Sequence, residues 1–416
     1  MTRFPSLPLL DRAGLAATLL LPVLLLHGRG LAEGMVALIG VAFLVRSALA
    51  RDWAWLRRPW LLVAAAWWLW LMVCTVVAGG ARLDQAAAAP RFFLLVAALE
   101  HWVLRDPRPR LWLLRVLQGA ALYIAGQCVL QLATGANLFG HGRGPDGELT
   151  GPYQNPRAGP PLARLLFPAL LPPVHALMAR PGFWPLAGIG ALAAGVGVVL
   201  LVGQRMPFLL ALGGLFVAAL LLPQLRAGVL VAAVAMSVLL AATASLSPPA
   251  YNRLVTKFSS QMQRFPDSHY GQIAARGWAI VQAHPVTGRG FDGFRDNCAN
   301  PAYFRGWRPG DDGGGAAICV QHPHNHYLQA LVEGGAPGFL LFCALVLAWL
   351  HGVGRGLWRN PTPLRVGLFA AVLMHEWPVA SAGAFTAMPL SGWFFVLLGF
   401  GLAEARAYMP ANTRQR

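Results

Sequence analysis

The densest chemistry in the chain lies between Gln321 and Gly338. His322, His324 and His326 occur at every second position, Asn325 stands between two of them, and an apolar helical run follows at once. A helix N-terminus carries partial positive charge, which favours a neutral imidazole and attracts an anion. The cluster therefore suits a base working on a phosphate-containing substrate. A metal site fits less well: Pro323 disfavours the helix that would bring His322 and His326 onto one face, and neither a His-Glu-x-x-His pattern nor paired carboxylates accompany them. The expectation is no metal and no cofactor.

A membrane must position such a cluster. Of 416 residues, 56% are hydrophobic and 12% charged, too few charges to solvate a globular surface. The apolar runs are long enough to cross a hydrocarbon layer roughly 30 Å thick as helices. They predict an all-α, polytopic integral membrane protein of about twelve spans: 13–27, 31–49, 60–78, 86–103, 111–133, 159–178, 184–202, 206–222, 226–245, 326–350, 363–380 and 386–404. The first has the length of a signal peptide, but no small-residue cleavage site follows, so it reads as an anchor. The net charge of +17 calls for no nucleic-acid partner. Arg46, Arg51, Arg57 and Arg58, then Arg105, Arg108 and Arg110, then Arg355, Arg359 and Arg365, and finally Arg406, Arg414 and Arg416 all fall on one side, as the positive-inside rule requires. That side is the cytoplasm, with both termini in it, and the loop of about 80 residues between spans nine and ten is outside. The chain divides into an N-terminal scaffold (1–133) without evident chemistry, spans with short outer turns (134–245), an outer loop domain (246–325) and C-terminal spans (326–416).

Other candidates sit on the same outer side. Thr150 to Pro156 is a turn containing Asn155, and the proline-rich span after it, with Arg164 near its outer end, suggests broken backbone beside a wet cavity. Arg205, in the tight turn 203–206, either snorkels to headgroups or aims a guanidinium at a diphosphate. Residues 270–283 read as an amphipathic interfacial helix, with Ile273, Gly277, Ile280 and Val281 on one face and Arg276 at headgroup depth. Gly288 to Phe294, including Arg289, makes a weak phosphate loop, since neither strand nor Walker lysine accompanies it. Asp311 to Gly315 reads as a flexible segment with solvated carboxylates. The outer loop begins near Ser247. His375 and Glu376, just before Pro378, are either functional intramembrane groups or interfacial ones. Cys298 and Cys319 share the outer loop, where an oxidising compartment permits a bridge; Cys74, Cys128 and Cys343 lie in spans as packing residues. Trp53, Trp55 and Trp60 sit at a span edge, while Trp67, Trp68 and Trp70 pack or face lipid.

His324-Asn325, nine residues, then Gly335-Ala-Pro-Gly338 resembles the His-[Asn/Ser/Gln]-x9-Gly-x-x-[Gly/Thr/Tyr] signature of the O-antigen ligase (WaaL) family, the Wzy_C-type bacterial oligosaccharide transferases. Leu201-Val-Gly-Gln-Arg205 is similar to that family's arginine-bearing turn, although Gln204 stands where serine is usual. Arg276 to Phe291 resembles its Arg…His-Pro…Gly-x-Gly segment, and Gly151 to Pro156 its Gly-x-x-x-Asn-Pro turn. The likeness covers roughly 150–400. It implies a GT-C-like glycosyltransferase in the bacterial inner membrane. O-antigen would move from undecaprenyl diphosphate to the lipid A-core oligosaccharide by metal-independent inversion on the periplasmic face. His324 would be the general base, Arg205, Arg276 and Arg289 the diphosphate contacts, and His322, His326, Asn325, Asn155 and His375 supporting groups. Alternatives within the same chemistry are an O-antigen polymerase, whose Arg-x15-Gly spacing Arg205 and Arg276 lack, and a protein O-oligosaccharyltransferase. A lipid-linked glycan transporter is the alternative from another class, but no internal repeat supports it.

Overall fold

The computed structural model describes residues 7–155, 157–246 and 248–408. Pro156, Ser247, Arg414 and Arg416 lie outside the described residues. Within them the chain is helical, with no strand. In order come α1 (Leu7–His27), α2 (Arg29–Ala50), α3 (Pro59–Val77), α4 (Leu83–Ala88), α5 (Arg91–Ala98), α6 (Pro107–Thr134), α7 (Gly159–Met178), α8 (Trp184–Leu201), α9 (Arg205–Leu221) and α10 (Arg226–Leu246). The outer segment holds α11 (Pro248–Tyr251), α12 (Lys257–Gln263), α13 (His269–Ala283) and α14 (Gly293–Asn297), and the chain returns through α15 (His326–Gly354), α16 (Pro363–His375) and α17 (Leu390–Ala407).

Local chemistry sets many of these boundaries. Pro59, Pro107 and Pro363 open α3, α6 and α16 at positions where the missing N–H costs nothing. Asn325 caps α15 by accepting from the Leu328 amide at 3.0 Å. Gly135 ends α6 in the left-handed region at φ 86°.

The protein is an all-α, multi-pass membrane protein. Among the described residues, 10 candidate spans are long and apolar enough to cross, and two shorter apolar helices lie at Arg205–Leu221 and Pro363–His375. Each expected span falls on one of these helices. Two details differ. The eleventh span stops at His375 instead of 380, and 376–389 crosses the outer end as an irregular strap. The helix α7 is continuous through Pro168, Pro172 and Pro173 rather than broken. Exposed Leu38, Leu62, Leu122 and Leu186 give the bundle an apolar exterior suited to lipid.

Charges collect at the two ends. At one, Arg58 meets Glu100 at 3.2 Å and Arg110 meets Glu404 at 2.9 Å. At the other, the loops tie to one another: Arg253 pairs with Asp146 and Glu148, and Arg82 with Asp296. Gln131 and Asn137 fix the turn before α7 by bonding Thr150, Gly151 and Tyr153.

The helix α13 turns its apolar face to α15 of the bundle. Its Ile273 and Ile280 face a small second core with Phe294, Cys298, Tyr303, Ile318 and Val332. Cys298 and Cys319 are bridged beside it, with Cα atoms 5.6 Å apart. This loop domain docks where α15 is interrupted. Gly335 sits at φ 60°, ψ −161°, and the interruption leaves backbone groups that need partners away from water. The Val332 carbonyl accepts from the Arg289 amide at 2.7 Å and the Glu333 carbonyl from Gly290 at 2.9 Å. Trp70 donates to the Gly334 carbonyl at 2.8 Å, and the Ala336 amide reaches the Pro285 carbonyl. The turn at 288–290 thus clips the loop domain to α15.

Glycine is required at Gly290, where φ is +72° and an added Cβ would lie 2.6 Å from the Thr75 Cα. Gly290→Ala is expected to lower stability by about 2 kcal/mol or more, measured as the thermal midpoint in detergent. Gly30→Ala, with nothing within 4 Å of the new carbon, should leave the midpoint unchanged.

Candidate active site

The turn Gln321–Asn325 enters α15 at the outer end of the bundle, under the loop domain and beside the strap. His324 adopts φ 55°, a left-handed conformation that costs a non-glycine residue roughly 1–2 kcal/mol. The strap holds it there: the Ala382 amide donates to the His324 carbonyl at 2.8 Å, and the imidazole also hydrogen-bonds to the Ala382 backbone. The His322 ring lies 4.6 Å from that of His324, edge to face, and the Tyr270 ring packs on the other side at 5.5 Å. Burial lowers the His324 pKa from its ordinary value, with the Ala382 bond opposing and His269 assisting the shift. His322 is pulled down further, to about 4, by burial first and then by its neighbouring histidines. Both rings are therefore neutral near pH 7, with a nitrogen lone pair available to accept a proton.

His322 lines a cleft of about 980 Å³. Its other walls come from distant parts of the chain, including Leu25, Arg91, Asn155, Arg157 and Arg295. Arg295 is paired with Asp292 at 3.3 Å, and Arg91 lies over the Phe92 ring at 4.6 Å. Arg157 is exposed and makes no ion pair among the described residues. The first spans, read from sequence as scaffold alone, thus form part of the cleft wall.

The expected diphosphate contacts separate. Arg205 starts α9, bonds to Gln261, lies 6.0 Å from the Phe258 ring and is within electrostatic reach of Tyr270. It is therefore on the Tyr270 side of His324. Arg276 is fully enclosed in the loop domain. It donates to the carbonyls of Cys298, Asp312 and Gly315 and stacks on Phe304 at 4.2 Å. A guanidinium so occupied braces the loop domain and meets a diphosphate only if that domain opens. The Asp311–Gly315 segment supplies its partners while the Asp311 and Asp312 side chains stay exposed. Arg289 is likewise committed, to Asn297 at 3.0 Å.

The supporting residues also divide. Asn325 ties the turn to the strap by donating to the Pro378 carbonyl at 2.7 Å. Asn155 faces the cleft. His326 and His375 lie below, in a buried set with Glu376 and Arg164. His326 Nδ1 is 3.1 Å from Glu376 Oε2, His375 Nε2 is 3.5 Å from Oε1, and Arg164 donates to His375 Nδ1. Ligand atoms of His326, His375 and Glu376 come within 4.8 Å of one another, a spacing that invites a metal. The donors argue for an ion-paired hydrogen-bond network instead. Because Arg164 occupies the lone pair of His375 Nδ1, the proton of the neutral ring sits on Nε2, which then has no lone pair for an ion.

Sequence reasoning missed Tyr270, which touches His324 across 54 positions that no local spacing connects. It also missed Trp70 and Thr75, whose side chains hold Gly334 and Phe291.

A polytopic helical membrane protein with a histidine turn and an arginine-lined cleft at one end defines the class. The family model described as O-antigen ligase, Wzy_C, matches residues 190–343. The match includes Arg205, Arg276, Arg289 and the histidine turn, and members of that family are glycosyltransferase-like enzymes, which supports glycosyl transfer of the ligase or polymerase type. No curated protein matches the chain.

Replacing Arg276 with alanine strands three carbonyls and is expected to loosen the loop domain by about 3 kcal/mol. Limited proteolysis should then cut within 299–320 while the bundle stays intact. Alkylation should label Cys298 and Cys319 in the native protein only after reduction.

Proposed function

We propose that the protein is an O-antigen ligase of the bacterial inner membrane, acting on the periplasmic face with both termini in the cytoplasm. The donor is O-antigen on undecaprenyl diphosphate and the acceptor is the lipid A-core oligosaccharide. The single observation that carries this reading is the strap-held His324, whose ring meets both cleft-lining His322 and Tyr270, the latter within electrostatic reach of Arg205. A hydrogen bond from one ring nitrogen to the strap leaves the other to accept a proton.

The acceptor hydroxyl oxygen attacks the anomeric carbon of the donor, its proton passes to His324, and the bond from that carbon to the diphosphate oxygen breaks. Inversion follows from a single displacement. Undecaprenyl diphosphate leaves with the bonding pair, and Arg205 stabilises the charge that develops on it. The donor diphosphate lies on the Arg205 and Tyr270 side, and the acceptor sugar enters through the cleft past His322 and Asn155. Arg276 and Arg289 serve this arrangement by bracing the loop domain, without touching the diphosphate.

In proteoliposomes supplied with lipid-linked O-antigen and lipid A-core, a joined product on the core supports a ligase. Elongation of the lipid-linked chain without the core indicates a polymerase, and no product overturns the reading. His324→Ala is expected to lower turnover by about 100-fold or more; near-normal turnover removes His324 from the role. Arg205→Lys keeps the charge but loses the planar fork, with an expected loss of about 10-fold in kcat/KM for the donor.

The pH profile follows from the direction of the His324 shift. A base whose pKa is lowered stays unprotonated below the ordinary histidine value of about 6.5, so activity should persist through that pH and fall only under more acidic conditions. An acid limb centred above it would contradict the assignment.

A further inference from the structure

We propose that the buried pair His326–Glu376 is the positioning element for His324: it holds the strap from beneath at Gly383, and the strap in turn holds the His324 backbone and ring. The proposal rests on the reading of His324 as the base.

The contacts form a continuous chain. His326 Nε2 lies 3.0 Å from the Gly383 carbonyl oxygen and its Nδ1 lies 3.1 Å from Glu376 Oε2. The neighbouring residue, Ala382, donates its amide to the His324 carbonyl at 2.8 Å. That bond opposes relaxation of the left-handed φ of 55° at His324. Tyr327 adds a bond from its hydroxyl to the Glu376 carbonyl at 2.7 Å, and Asn325 holds Pro378. Three consecutive residues, 325–327, thus anchor the strap that grips the residue just before them.

The pair is enclosed, with side-chain exposure of 4% for His326 and 0% for Glu376. Both His326 ring nitrogens face oxygens. The ring must therefore donate at both, or the carboxyl must supply the proton shared at Nδ1. Either way one proton links strap and helix, and an apolar replacement leaves the carboxyl and the Gly383 carbonyl without partners. Arg164 and His375, packed from α7 and α16, complete the set on the far side of Glu376. A buried ionisable group at membrane depth is costly and marks function more often than stability. Here it lies one strap residue away from the base.

The test uses the full chain in proteoliposomes, with His326→Ala, His326→Gln and Glu376→Gln beside the unaltered protein. Amide exchange of the peptide covering 376–389 reads the strap directly. His326→Ala and Glu376→Gln should raise that exchange about 10-fold while α13 is unaffected, and should lower kcat about 10- to 100-fold with KM for the lipid donor unchanged. His326→Gln, which keeps a donor for the Gly383 carbonyl, should recover most of both. Where His326→Ala fails to insert, the near-isosteric Glu376→Gln gives the decisive reading. Unchanged strap exchange overturns the proposal, and so does a loosened strap with full kcat. An unaltered protein without turnover would sink the ligase reading instead, and exchange alone would then decide whether the pair holds the strap.

Discussion

A helix interrupted inside a membrane protein leaves backbone donors and acceptors that lipid cannot satisfy, and the outer half of this molecule is arranged around meeting that demand at Gly335. The carbonyls of Val332, Glu333 and Gly334 are taken up by the 288–290 turn and by Trp70. Those bonds fix the loop domain on the bundle, and its helix α13 brings Tyr270 against His324. Glycine is needed on both sides of the joint because the backbones approach within reach of each other's Cβ positions.

Buried polarity repeats the theme with charge. Arg276 is wrapped by three carbonyls and an aromatic face, with the Cys298–Cys319 bridge closing the segment that supplies all three. Beneath the histidine turn, Arg164 donates to His375, His375 lies 3.5 Å from Glu376, and Glu376 meets His326, all of them buried. Ion sets of this kind add little net stability but penalise alternative packings heavily.

Much of the fold was legible because the length of an apolar run is a physical measure of bilayer thickness. The runs coincide with the 10 candidate spans and the two shorter apolar helices among the described residues, and Arg58, Arg110 and Arg406 meet their partners at one end. The motif around His324 was legible too, since a helix start, a capping asparagine and a glycine break all leave local marks. The carbonyl cage around Arg276 was not legible for a physical reason: an arginine beside an apolar helical face looks alike whether headgroups or folded-back carbonyls receive it. The carbonyls come from 298, 312 and 315, which no periodicity links to 276. The two ends of the strap, 376–380 and 386–389, were misread as helix because their apolar composition resembles that of a span until the strap's bonds to 324–327 are seen.

Trp70 reaches Gly334 across 264 positions, and Thr75 of the same helix holds Phe291. The stretch bearing the family signature therefore has no free-standing existence: its broken helix leans on α3, which lies outside the matched residues. A chimera that grafts this outer loop onto a relative's helices inherits the histidine without its foundation unless the tryptophan-bearing span travels with it.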